Sequence, residues 1–108
     1  MKVLPLISTA IAAAAFAMPA AAQDADAATK LLKAENCTKC HSVDKSKKGP
    51  AYQKVAAKYK GKADAEAKLT EFLTKSPKVK LDDGSEEEHK ALKDPKQISN
   101  LIKWVLAQ

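Results

Sequence analysis

The chain has 108 residues, the length of one small domain, and its nineteen basic residues outnumber thirteen acids for a formal charge of +6. That charge comes with no recognised nucleic-acid motif, and the chain's one apolar stretch falls short of the roughly 20 residues that span a bilayer, so neither a nucleic-acid binder nor an integral membrane protein is expected. Aromatic residues are few, with Tyr52, Tyr59, Phe72 and Trp104 beyond the first twenty positions, and at this size a core of side chains alone is only marginally stable.

The first segment reads as an export signal. Lys2 supplies a positive start, Val3 to Phe16 is almost wholly apolar, and Pro19-Ala20-Ala21-Ala22 offers small residues in an A-x-A arrangement before Gln23-Asp24. Cleavage after Ala22 is expected, leaving residues 23–108 as a single domain in the periplasm. Eighteen lysines then face thirteen acids, a formal +5, and there is no arginine.

In chain order, the first predicted helix starts at Asp24 or Asp26, either of which can cap, and runs through Ala27, Leu31, Leu32 and Ala34 toward Cys37. It leads into Cys37-Thr38-Lys39-Cys40-His41, the C-x-x-C-H signature of c-type haem attachment. Two thiols at this spacing reach the two vinyl groups of one porphyrin and form thioethers, and the adjacent imidazole of His41 is carried to the iron as its proximal ligand. A buried porphyrin also completes the small core. A zinc site from Cys37, Cys40, His41 and His89 is disfavoured because adjacent Cys40 and His41 do not easily share a tetrahedral ion. A thioredoxin-like pair needs a βαβ context that no part of the chain suggests.

After a lysine-rich turn, Lys45-Ser46-Lys47-Lys48-Gly49-Pro50, the stretch from Ala51 to Tyr59 places Tyr52, Val55, Ala56 and Tyr59 on one helical face, and Gly61 ends it. A third helix is predicted from Asp64 through Leu69, Phe72 and Leu73, stopped by Pro77. Nothing alternates with period two, so no strand is predicted. Ser85-Glu86-Glu87-Glu88 fits an S-x-x-E capping box, which predicts a short helix with His89 in its first turns. The last helix has Asp94 as cap, Pro95 at its first position and Gln97 in a capping-box-like place. Its apolar stripe is Ile98, Leu101, Ile102, Val105 and Leu106, with Trp104 beside it as a core residue that can also meet the haem or the first helix.

An N-terminal helix entering C-x-x-C-H, the Gly49-Pro50-Ala51-Tyr52 segment with Val55-Ala56, and the terminal Leu101-Ile102-Lys103-Trp104-Val105-Leu106 helix together resemble the small bacterial class I cytochromes c. The resemblance implies an all-α fold with N- and C-terminal helices crossing around one covalently bound haem c. It also implies that the Pro50 carbonyl orients the His41 imidazole, and that the iron carries single electrons between redox proteins rather than serving an enzyme. The family's distal methionine is missing, since Met1 and Met18 both fall in the export segment. His89 stands near the expected place and is the candidate sixth ligand. Lys78, Lys80 and Lys90 are weaker candidates because each must first lose a proton. An open distal position, binding nitric oxide, carbon monoxide or oxygen, is the competing reading. Bis-histidine ligation predicts a low potential, and the Lys45 to Lys48 turn is expected to orient an acidic partner. The chain is read as a monomer, with a dimer left open.

Overall fold

The computed structural model describes residues 23–108, so the predicted cleavage point after Ala22 and the segment before it lie outside the described residues. Helix α1 spans Ala25–Ala34, and of its two candidate caps it is Asp24 whose carboxylate accepts the Ala27 N–H, at 3.0 Å. Three residues short of the cysteines the helix ends, and Asn36 turns the chain in a left-handed conformation (φ 57°). The haem motif therefore begins in a separate 3-10 turn, Cys37–Lys39. Helix α2 (Tyr52–Tyr59) ends just before Gly61, whose φ of +74° favours glycine. Helix α3 (Ala65–Lys75) starts after Asp64, but that carboxylate pairs with Lys68 at 3.1 Å instead of capping the helix. Ser76, in a left-handed conformation (φ 52°), and Pro77 terminate α3.

Helix α4 (Pro95–Leu106) is the spine. Asp94 accepts the N–H of Lys96 at 2.9 Å and of Gln97 at 3.4 Å, with Pro95 in the first turn. Its buried face, Ile98, Leu101, Ile102, Trp104 and Val105, meets α1, α2 and α3, and it joins Ala28, Leu31, Leu32, Tyr52 and Leu92 in one core. Ala28 is fully buried on α1, where a small side chain lets the two terminal helices approach closely. The Asn100 side chain secures that contact: its Oδ1 accepts the Asp24 N–H at 2.7 Å and its Nδ2 donates to the Asp24 carbonyl at 2.9 Å. Ile98 is only 2% exposed. Ile98→Ala is expected to cost about 2–5 kcal/mol of holoprotein stability, read as a lower guanidinium midpoint.

The segment between α3 and α4 departs from the expected helix. Lys78–Lys80 (β1) and Glu86–Glu88 (β2) form a two-stranded antiparallel hairpin, with Lys78 opposite Glu88, Val79 opposite Glu87 and Lys80 opposite Glu86. Two features defeat the capping box. Ser85 spends its N–H and hydroxyl on the Asp83 carboxylate, the former at 2.9 Å, and Gly84 takes a φ of +85° that closes a turn. Opposite charges across the ladder favour the pairing, and Leu81, just after β1, is buried. His89 thus follows a strand. Among the described residues no helix is long and apolar enough to cross a membrane.

Candidate haem site

The 3-10 turn places half-buried Cys37 and Cys40 on one side of the loop and carries His41 forward, its N–H bonded to the Cys37 carbonyl at 3.0 Å. Burial, helped by the nearby Glu35 charge, pushes the Cys37 thiol above its ordinary value, unlike the depressed thiolate of a redox-active pair. Among the described residues no three His, Cys, Asp or Glu side chains converge as a metal-binding group.

The chain then wraps the His41 ring. Gly49 donates its N–H to the Cys40 carbonyl at 2.8 Å, and Tyr52 donates to the Ser42 carbonyl at 2.9 Å. His41 Nδ1 lies 2.7 Å from the Pro50 carbonyl oxygen, so Nδ1 carries the proton and Nε2 keeps a lone pair. Gly49 lies so close that a Cβ there would stand 2.7 Å from His41 Cε1. Behind the imidazole Tyr52 stacks at 5.0 Å between ring centres and 20° between planes, and Trp104 meets Tyr52 edge-on at 5.5 Å. Trp104 therefore supports the site through Tyr52. Burial raises the Tyr52 phenol well above its ordinary value, keeping it neutral.

From the other side comes His89. Its ring centre is 6.1 Å from that of His41, with 54° between planes. Two imidazoles that held one metal through Nε2 from opposite sides would stand about 6.4 Å apart, from two bonds of about 2.0 Å and two ring radii of about 1.2 Å. His89 Nδ1 is 3.1 Å from the Lys90 carbonyl oxygen, which again leaves Nε2 bare. Burial also holds His89 below its usual range, with the His41 charge adding to the effect and the Lys90 bond opposing it. With both Nδ1 atoms set against backbone carbonyls, His41 and His89 would hold a haem iron through Nε2.

These features place the chain in a known family: the family model for Cytochrome c matches residues 25–108. The chain belongs to the cytochrome c family. It is similar over its whole length to cytochrome c-551 of Pseudomonas aeruginosa, 32% identical over 114 residues that cover 99% of that protein. Among solved structures it is similar to the class 1 cytochrome MtoD of Sideroxydans lithotrophicus ES-1, with 54% identity, a TM-score of 0.77, and 80% of this chain and 97% of that one covered. Wild-type cytochrome c552 of Nitrosomonas europaea aligns with 27% identity, a TM-score of 0.60, and 72% and 95% coverage. The protein is thus a small class I cytochrome with one haem c attached through Cys37 and Cys40, and a monohaem electron carrier.

Three neighbours of this cytochrome's site escape a reading of motifs. Phe72, 37% exposed on α3, sets its ring edge-to-face with His89 at 4.7 Å, whereas the helical pattern places it only on the third helix. Gly49 is recognisable as half of a Gly-Pro pair, but its approach to His41 depends on the fold. Lys47, one of the three lysines of the lysine-rich turn, donates from Nζ to the Thr38 carbonyl at 3.0 Å and so holds the haem-bearing turn.

Proposed function

We propose that this cytochrome is a periplasmic, low-potential electron carrier whose iron is held by His41 on the proximal side and His89 on the distal side. The observation that carries the proposal is the pair of imidazoles with ring centres 6.1 Å apart, each with Nδ1 against a backbone carbonyl, which leaves Nε2 for a metal. The haem supplies the one-electron ferric/ferrous couple. Pro50 fixes the His41 tautomer and raises its basicity. His89 in place of a thioether favours the ferric state, which lowers the potential. Because neither ligand needs to leave during electron transfer, the coordination changes little and exchange is fast. No catalytic group is assigned, and the working form is taken as a monomer. Residues 1–22 serve as the export signal, consistent with haem attachment outside the cytoplasm.

The test is the visible spectrum of ferric and dithionite-reduced protein with and without carbon monoxide, together with potentiometry. Low-spin spectra in both states, slow reaction with carbon monoxide and a potential below that of a His/Met cytochrome are expected. A high-spin ferrous protein that takes up carbon monoxide at once overturns the closed site in favour of a diatomic-gas binder.

Docking is assigned to the turn after His41. Lys45 and Lys48 are exposed beside the haem-bearing loop, whereas Lys47 is engaged with Thr38 and Lys54 with Ser46. The Lys45→Glu/Lys48→Glu variant is expected to slow reduction by an acidic partner at least several-fold at low ionic strength, with the difference fading toward 0.5 M salt, as screening over about 4–10 Å requires. Equal rates at low salt remove this face.

A further inference from the structure

His89 is held through its backbone as well as its ring. Its N–H donates to the Pro77 carbonyl at 2.9 Å, continuing the β1–β2 ladder one step beyond Lys78 and Glu88, and its carbonyl accepts the Ser76 hydroxyl. Both contacts come from the junction where α3 ends, and Leu92 extends the seam by donating to the Leu73 carbonyl at 2.9 Å. On the other flank Lys90 has two roles. Its carbonyl takes the His89 Nδ1–H, and its Nζ pairs at 3.2 Å with Glu35, which caps α1 two residues before Cys37. The distal segment is thereby tied to the chain that carries the proximal cysteines. Ser76 adopts φ +52°, where a non-glycine residue is strained, at the position that brings its hydroxyl to His89.

We propose that Ser76 and the Glu35–Lys90 pair are positioning residues that latch His89 over the iron and set how often the distal site opens. This rests on His89 being the sixth ligand. The two latches differ in strength. A hydroxyl-to-carbonyl bond at a half-buried site contributes about a fivefold bias in an equilibrium. The ion pair is largely exposed, with 57% of the Lys90 side chain and 31% of the Glu35 side chain accessible, and contributes about twofold.

The experiment mixes ferrous holoprotein with carbon monoxide over a wide concentration range. When His89 must leave first, the observed rate levels off at the rate of His89 release. Ser76→Ala and Ser76→Gly are both expected to raise that limiting rate about fivefold, and Lys90→Met about twofold, with Glu35→Lys/Lys90→Glu returning close to wild type. The glycine variant separates positioning from stability: it relieves the left-handed strain, so its melting temperature holds or rises while His89 is released faster. Limiting rates that stay at the wild-type value in Ser76→Ala, Ser76→Gly and Lys90→Met overturn the latch while leaving His89 as ligand. A wild-type rate that climbs without limit, matching His89→Ala, overturns the ligand assignment and the latch with it.

Discussion

His89→Ala is expected to convert a low-spin protein that resists carbon monoxide into one that is high-spin in the ferrous state and binds the gas within mixing time. The effect is large because coordination is all or none at the sixth position, while the fold loses little. His89 is half-buried, and its ring meets that of Phe72 edge-to-face at 4.7 Å. An edge-to-face pair contributes about 0.5–1.5 kcal/mol, so losing it shifts the melting temperature by roughly 2–12 °C in a domain of this size. Backbone contacts to Pro77 and Ser76 survive the substitution. Millimolar imidazole is expected to restore the low-spin spectrum, because it supplies the missing nitrogen without repairing the chain. A mutant spectrum identical to wild type would pass the ligand role to one of Lys78, Lys80 or Lys90.

Gly49→Ala strikes the proximal side. The added methyl group would stand 2.7 Å from His41 Cε1 and 3.1 Å from both ring nitrogens, closer than van der Waals contact allows. Neither party yields easily. The ring is tethered at Nδ1 to the Pro50 carbonyl, one residue from the clash, and Gly49 is held by its own N–H to the Cys40 carbonyl. Relief must therefore stretch the bond that orients the imidazole. Overpacking of this kind costs about 1–3 kcal/mol, or about 5–20 °C in melting temperature. A weaker Nδ1 bond makes His41 a poorer donor and raises the potential. Glycine is required at this position by space, since its φ is not left-handed, and an unaltered melting temperature and potential in Gly49→Ala would show that His41 gives way freely. Pro50→Ala is the informative comparison, because it keeps the carbonyl and adds nothing near the ring.

Much of the fold is legible residue by residue. Helices α1 and α4 follow from capping aspartates and apolar stripes, and the structure places both where the spacing predicts, with α1 ending three residues earlier than its approach to Cys37 suggests. The Gly49-Pro50 pair leads to the His41 contact that the family resemblance implies. The hairpin is the exception. Lys-Val-Lys and Glu-Glu-Glu carry no apolar alternation, and each strand has a reason to exist only when the other neutralises it. A signal was present in Asp83-Gly84, a turn pair flanked by two short runs of opposite charge, but Ser85-Glu86-Glu87-Glu88 fits a helix start equally well until Ser85 is seen bonded to Asp83.

By itself the sequence determined the chemistry of attachment, because Cys37, Cys40 and His41 are contiguous and their geometry is local, and it determined the helices that bury one apolar face each. Only the tertiary structure decided what faces His41. Whether His89 lies 6.1 Å away or in solvent depends on where α3 ends, on a hairpin of charged strands and on the Lys90 contact with Glu35. Those are pairings between segments remote in the chain, and no local periodicity encodes them.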